Sequence, residues 1–428
     1  MAVGGFVLLG AGVAGAITRP WRVPTWLGPL VAVLVALVVG IVDLHGARRS
    51  LDPLVEPLAF LLLAVPLAAL LDRVGFFESV AAIAASRRHV VGGMWLLGIV
   101  TVAVLNLDAA VVLLTPLAIR TARRSGLDPV VLALQPVLLA CLASSFLPVS
   151  NLTNLIVAGH GRFGAGDFAA HLGLPSVVAL VVAWWCYRHA YGASGVAPSV
   201  DASAGAVADP AALVTGGIVV AFLLVGFVVG PPLGVQPWMV VAVADVALLV
   251  RCRYVPVDAV PWGTALVAAA LAVLAGAAVA HVSFDGLLRG SGPLATARVT
   301  GVAALGANVV DNLPALLVGL ARLPRGSALV WPLLLGVNAG PTLLVTGSLA
   351  SLLWLDAVRR GGLALGAWDY ARLGVRVGLP ALVAATIVLS AGAEGAPWSV
   401  LAAAGVLAVA GAVVVWARRS PGWQEGHQ

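Results

Sequence analysis

Four short stretches of this chain set Asn, Asp, Ser and Thr beside helix-breaking residues inside long apolar runs. In the first half, Asn106-Leu107-Asp108 lies between apolar arms and is followed by Thr115-Pro116. Next comes Ser144-Ser145-Phe146-Leu147-Pro148-Val149-Ser150-Asn151-Leu152-Thr153-Asn154. The second half keeps the order, with Asn308-Val309-Val310-Asp311-Asn312-Leu313-Pro314 first. Asn338-Ala339-Gly340-Pro341-Thr342 and Thr346-Gly347-Ser348 come after it. A helix broken inside hydrocarbon bares N–H groups on one side and C=O groups on the other, giving dipole ends of opposite sign. Such backbone survives only where protein or a water-filled cavity satisfies it. Amide and hydroxyl side chains fill the remaining valences, so the pattern points to a central polar site for a small solute. Its candidate binding residues are Asn106, Ser150, Asn151, Thr153, Asn308, Asn312, Asn338, Thr342, Thr346 and Ser348.

Asp108 and Asp311 add ionisable chemistry. A carboxylate at mid-bilayer costs roughly 2.5–3.5 kcal/mol on insertion scales, so its presence calls for a function. Both are expected at equivalent tips, where either could carry a proton or hold a cation together with unwound carbonyls. Asp245 lies outside any break and reads as a helix-packing carboxylate. Asp43, Glu56 and His281 read as interfacial, and Cys141 as core packing.

The elements that must position these residues are helices in a bilayer. Of 428 residues, 61% are hydrophobic and 10% charged, and the mean hydropathy is +1.07. Apolar runs near twenty residues recur throughout, which defines an all-α polytopic membrane protein. The formal charge is +6, yet the basic residues, all Arg, sit in short clusters between apolar runs. Membrane loops look like this, and a nucleic-acid partner is not implied. Cys141, Cys186 and Cys252 lie too far apart for a disulfide framework or a zinc site. No cofactor is expected. HExxH and GxSxG are absent, so an enzyme is not expected either. The N-terminus lacks a basic leader and reads as a first, short membrane helix.

The polar stretch 191–211, rich in Ala, Ser, Gly and Asp, reads as a cytoplasmic linker between an N-terminal repeat, 1–190, and a C-terminal repeat, 212–428. Arginine clusters set the orientation. With Arg418-Arg419 cytoplasmic, alternation puts Arg251, Arg253, Arg359 and Arg360 on the same side. The segment after Arg87-Arg88 and before Arg120, Arg123 and Arg124 then has arginines at both ends. A re-entrant hairpin over about 90–120 keeps both clusters inside. An equivalent hairpin is expected over about 299–321, with broken helices over about 129–158 and 327–357. The count is about eleven transmembrane helices and two hairpins in two inverted repeats, a plan that favours alternating access over a channel.

At these breaks the sequence resembles the arsenical pump membrane protein family, the arsenite permeases of the ion transporter superfamily, to which dicarboxylate permeases and certain sodium/proton antiporters also belong. The resemblance rests on Asp311-Asn312-Leu313-Pro314-Ala315, on the run Gly347-Ser348-Leu349-Ala350-Ser351-Leu352-Leu353-Trp354, and on Leu147 to Asn154. It implies two inverted repeats, a homodimer, and export of arsenite or antimonite in exchange for protons, in some members with a soluble ATPase partner. Where the family's second broken span has an acid and a Lys, this chain has Asn338 and Thr342. Tip carboxylates repel a dianion in low dielectric. They suit neutral arsenous acid with proton coupling first, and a sodium ion second. The expected reading is an arsenite/antimonite permease of the cell membrane; the alternative is a sodium/proton antiporter or another anion permease of the same superfamily.

Overall fold

The computed structural model describes residues 2–18, 23–85, 90–191, 208–279, 286–393 and 395–419. The linker at 191–211 lies almost wholly outside them, as do Arg87, Arg88 and His281. Every regular element among the described residues is helical. Six stretches are long and apolar enough to cross a membrane: Leu44–Arg73, Ala165–Tyr191, Pro210–Val229, Val257–Ala278, Gly292–Val310 and Ala367–Gly392. Shorter apolar helices accompany them, among them Gly4–Gly15, Val90–Leu105 and Pro129–Leu142.

The helices that matter below are, in the first half, α1 (Ala2–Thr18), α2 (Leu27–Val38), α3 (Val55–Arg73), α4 (Phe76–Ala85), α5 (Val90–Leu105), α6 (Leu107–Arg124), α7 (Gln135–Leu142), α8 (Leu152–Gly161) and α9 (Leu174–Tyr191). In the second half they are α10 (Pro210–Val229), α11 (Pro237–Cys252), α12 (Trp262–Val279), α13 (Gly292–Val310), α14 (Asn312–Leu320), α15 (Val330–Ala339), α16 (Leu349–Arg360), α17 (Leu379–Gly392) and α18 (Ala396–Arg419). On α10, Val214, Ile218, Phe222 and Val225 are exposed about one turn apart. An apolar stripe facing outward is how a helix meets lipid.

Three groups of helices surround the site. α1, α2 and α12 share one apolar cluster, and α9, α17 and α18 share another. The largest core runs through α3, α5 to α8 and α13 to α16. The halves repeat the same order of elements. A helix pair broken at one residue (α5–α6, α13–α14) precedes a helix interrupted by short 3-10 structure, one turn between α7 and α8 and two between α15 and α16. Next follows a Gly-capped turn, where Asp167 accepts from Gly164 N at 2.8 Å and Asp369 from Gly366 N at 2.9 Å. A five-residue π-helical turn, at Ala169–Gly173 and Gly374–Gly378, then leads into α9 and α17. Cross-half contacts come in matched pairs: α8 meets α15 as α16 meets α7, and α9 lies along its counterpart α17. The second broken pair differs from expectation at its start. Its first arm begins at Gly292, not near 299, because Gly292-Pro293 opens the helix two turns earlier than the apolar run suggested.

Candidate functional site

Each helix pair breaks at a residue whose backbone glycine alone adopts readily. Asn106 has φ 113° and ψ 152°; Asp311 has φ 76° and ψ 155°. For a residue with a side chain this costs of order 1–3 kcal/mol and persists only where the surroundings enforce it. Both then cap the helix they begin: Asn106 Oδ1 accepts from Asp108 N at 2.8 Å, and Asp311 Oδ1 from Leu313 N at 3.2 Å. These matched geometries fix the register of the repeat. Asn106, not Asp108, is the counterpart of Asp311, and Asp108 corresponds to Leu313. The expected equivalence of the two carboxylates is thus corrected by two residues. They are nonetheless neighbours, near enough for the charge of Asp108 to act on Asp311, whose carboxylate also faces the backbone amides of Asn312 and Leu349.

The broken helices resolve their freed backbone locally. In the first, the chain is extended at Leu147, makes a 3-10 turn over Pro148–Ser150, and is capped at Asn151. In the second, Leu344, the turn Val345–Gly347 and the cap Ser348 follow with nearly the same angles. Asn154 Nδ2 donates to the carbonyls of Ser144 (2.6 Å) and Leu147 (2.8 Å), which the break leaves without helical partners. Asn308 does this work in the second half: its Nδ2 donates to Ala304 O and Gly340 O, both at 2.8 Å, and its Oδ1 accepts from Leu344 N at 2.9 Å. A hydroxyl ties each break to the neighbouring tip. Ser150 Oγ donates to Ala103 O at 3.1 Å, and Thr346 Oγ1 to Asn308 O at 2.9 Å. Both acceptors lie three residues before the tip. Thr342 donates to Ala339 O at 2.7 Å, and Ser348 caps Ala350 N at 3.2 Å.

Asn338 joins the halves. Its Oδ1 accepts from Asn151 Nδ2 at 3.0 Å and from Thr153 Oγ1 at 2.6 Å. Its Nδ2 donates to Ser145 Oγ at 3.2 Å and Asn154 Oδ1 at 2.7 Å. All four valences of one buried amide are therefore filled by the opposite half. Tyr370 makes a second junction, donating to Pro341 O at 2.7 Å while lying 2.9 Å from Ser351 Oγ and 4.0 Å from Cys141 Sγ. Trp354 Nε1 donates across the halves to Ala133 O at 2.7 Å.

The sequence-derived residues thus divide into two groups. Ser150, Asn151, Thr153, Asn308, Asn338, Thr342, Thr346 and Ser348 come together, but here their polar groups bond to one another or to backbone. Asn106, Asp108, Asp311 and Asn312 keep unused capacity. Asn106 Nδ2 is buried with no partner, its Oδ1 being fixed by the Asp108 amide. Asp108 is only partly buried. Asn312 is buried and makes no side-chain hydrogen bond among the described residues. Among the described residues, no arginine or histidine is buried. Sequence reasoning missed Ser145, Asn154, Ser351, Trp354 and Tyr370. Asn154 was within reach, since it sits three residues after Asn151 on one helical face; Tyr370 had no local signal. Asp245 faces α3 from within α11 with both oxygens unpartnered.

Apolar helices interrupted in matched order around a shared polar centre define a membrane transporter. Residues 13–336 match the citrate transporter family (CitMHS), and the chain belongs to that family. It is 27% identical over 392 residues to the arsenical pump membrane protein of Yersinia enterocolitica, covering 83% of this chain and 91% of that one. The arsenical pump membrane protein of Escherichia coli strain K12 is 28% identical over the same length. A 46 kDa membrane protein of Mycobacterium leprae is 25% identical over 404 residues, 86% of this chain and 94% of its own. The fold is similar to that of the Alcanivorax borkumensis YdaH transporter, with a TM-score of 0.50 at 14% identity over 83% of this chain and 90% of that one. The resemblance read from the breaks is borne out at the level of family.

Proposed function

We propose that this protein exports arsenite or antimonite as the neutral trihydroxide in exchange for protons, by alternating access across the cell membrane. The observation that carries the reading is the free polar capacity at the tips. The unpartnered Asn106 amide lies two residues from Asp108, which is in electrostatic reach of Asp311. A citrate-like polyanion would meet two carboxyl groups and, among the described residues, no buried cation. In low dielectric that arrangement repels it. A small neutral trihydroxide can accept from Asn106 Nδ2 and donate to Asp108 and Asp311, whose protonation then couples release to the proton gradient. The names of the arsenical pump relatives support this solute. In this reading α5–α6 and α13–α14 are re-entrant hairpins of an inverted repeat, the C-terminus is cytoplasmic, and the unit is a homodimer to which a soluble ATPase could bind.

The test uses everted vesicles acidified inside, with labelled arsenite, sodium and citrate compared side by side. Arsenite should accumulate and be lost on adding a protonophore. Asp108→Asn and Asp311→Asn should each abolish accumulation while the protein still inserts. Sodium accumulation instead would favour sodium/proton exchange, which the same two carboxylates could perform. Full arsenite transport in both variants would remove the coupling role.

A further inference from the structure

A cleft of about 310 Å³ separates α6 from α16. Val112, Pro116 and Arg120 line it on α6; Leu353, Asp356 and Arg360 line it on α16. The two helices run side by side from the central site to one surface. Each begins at a cap, Asn106 or Ser348, and ends in arginines, Arg123-Arg124 or Arg359-Arg360. Stepping back one turn, about 5.4 Å, from Val112 reaches Asp108. The same step from Leu353 reaches Leu349, whose amide faces the Asp311 carboxylate. Asp108, which is partly exposed, therefore lies one turn inward of the cleft's innermost α6 residue, and the buried Asp311 lies beyond it.

Two features suit it to water rather than lipid. Pro116 has no N–H to offer the Val112 carbonyl, and in a membrane such a carbonyl persists where water or protein can reach it. The outer end is charged: three guanidinium groups, Arg120, Arg123 and Arg360, stand around one carboxylate, Asp356. Arg360 pairs with Asp356, and Arg123 donates to Gly361 O at 2.6 Å, pinning the two helix ends together. Arg120 is exposed and feels Asp72 and Glu78 only through space. Glu78 is itself held by Arg124 at 2.8 Å.

We infer that this cleft is the aqueous path to Asp108 from the surface where α6 and α16 end, and that its arginine collar excludes cations while admitting neutral or anionic solutes. The inference rests on the transport reading of the tips and narrows it, because a sodium ion would be turned away at this mouth. Charged walls of low dielectric focus the field and alter local ion concentration by tenfold or more.

The experiment is thiol labelling of the full chain in a background where Cys141, Cys186 and Cys252 are replaced by Ser. Val112→Cys and Leu353→Cys are each treated with an anionic and a cationic membrane-impermeant methanethiosulfonate, in right-side-out and everted vesicles. Rates are normalised to those with a free thiol. Both positions should react from one side only. The anionic reagent should be favoured by about tenfold at low salt, with the preference collapsing in 1 M salt as screening shortens to about 3 Å. Arg120→Gln should weaken that preference. Failure of both positions to react would overturn the aqueous path, and equal rates for the two reagents would overturn the collar. Neither readout needs a transported solute, so an arsenite assay that fails beside normal labelling would count against the solute alone.

Discussion

Asn106 carries two burdens that pull in different directions. Its backbone sits where glycine would be relaxed, and its side chain both caps α6 and leaves Nδ2 unpartnered in the site. A residue kept there for stability alone would be Gly, because Gly caps a helix nearly as well as Asn and removes the strain. Asn106→Gly should therefore leave thermal stability unchanged or raise it, while apparent affinity for the solute falls by about tenfold through loss of one buried hydrogen bond. Asn106→Ala keeps the strain and loses the cap, so it should lower stability by roughly 1–2 kcal/mol. A melting series in detergent beside a binding titration checks both. Normal binding in Asn106→Gly would mean that the amide is only a cap.

At the scale of elements, the breaks work because small residues let helices close on one another. A Cβ added at Gly340 would lie 2.6 Å from Ala304 Cα and 2.7 Å from its Cβ, so α13 would have to move away from the second break. That movement would pull Asn308 from the Gly340 carbonyl it satisfies. Gly340→Ala should destabilise the protein by about 1–3 kcal/mol. Gly10→Ala, which meets nothing within 4 Å, should melt within about 0.5 kcal/mol of the parent. The positions of these breaks were legible in the sequence, since Pro148, Pro341 and their Asn, Ser and Thr neighbours have few other uses inside apolar runs. Register was not. Asn106-Leu107-Asp108 offers two side chains that can cap, and only the positive φ at Asn106 decides between them. Saturation of the site was also hidden: Asn151 and Asn338 are 187 residues apart, and no local pattern says that one will fill the other. The paired π-helical turns before α9 and α17 leave no sequence signal that propensity could read.

For the molecule as a whole, contacts between distant loops gather the arginine clusters at one end. Arg123 reaches the Gly361 carbonyl, Arg124 pairs with Glu78, and Arg73 lies 4.2 Å over the Tyr254 ring just after Arg251 and Arg253. α11 gives the direction. Its 16 residues carry the chain about 24 Å from Pro237 to Cys252, and the Pro237 end shares a recess with Arg162 and Pro231. The ends of α6, α16 and α11 therefore lie on one face, and Arg162 with the α10–α11 turn lies on the other. A chain crossing a bilayer this way must show opposite labelling at the two ends. In a cysteine-free background, Ser125→Cys and Ala364→Cys should react with an impermeant maleimide in everted vesicles and stay silent in intact cells. Leu233→Cys and Gly166→Cys should do the reverse. The first pair is expected on the cytoplasmic side because arginines accumulate there, so the sense of the result tests orientation, while the pairing alone tests the fold. Labelling of Ser125→Cys and Ala364→Cys from opposite sides would separate α6 from α16 across the membrane, and the cleft between them could not lead to Asp108.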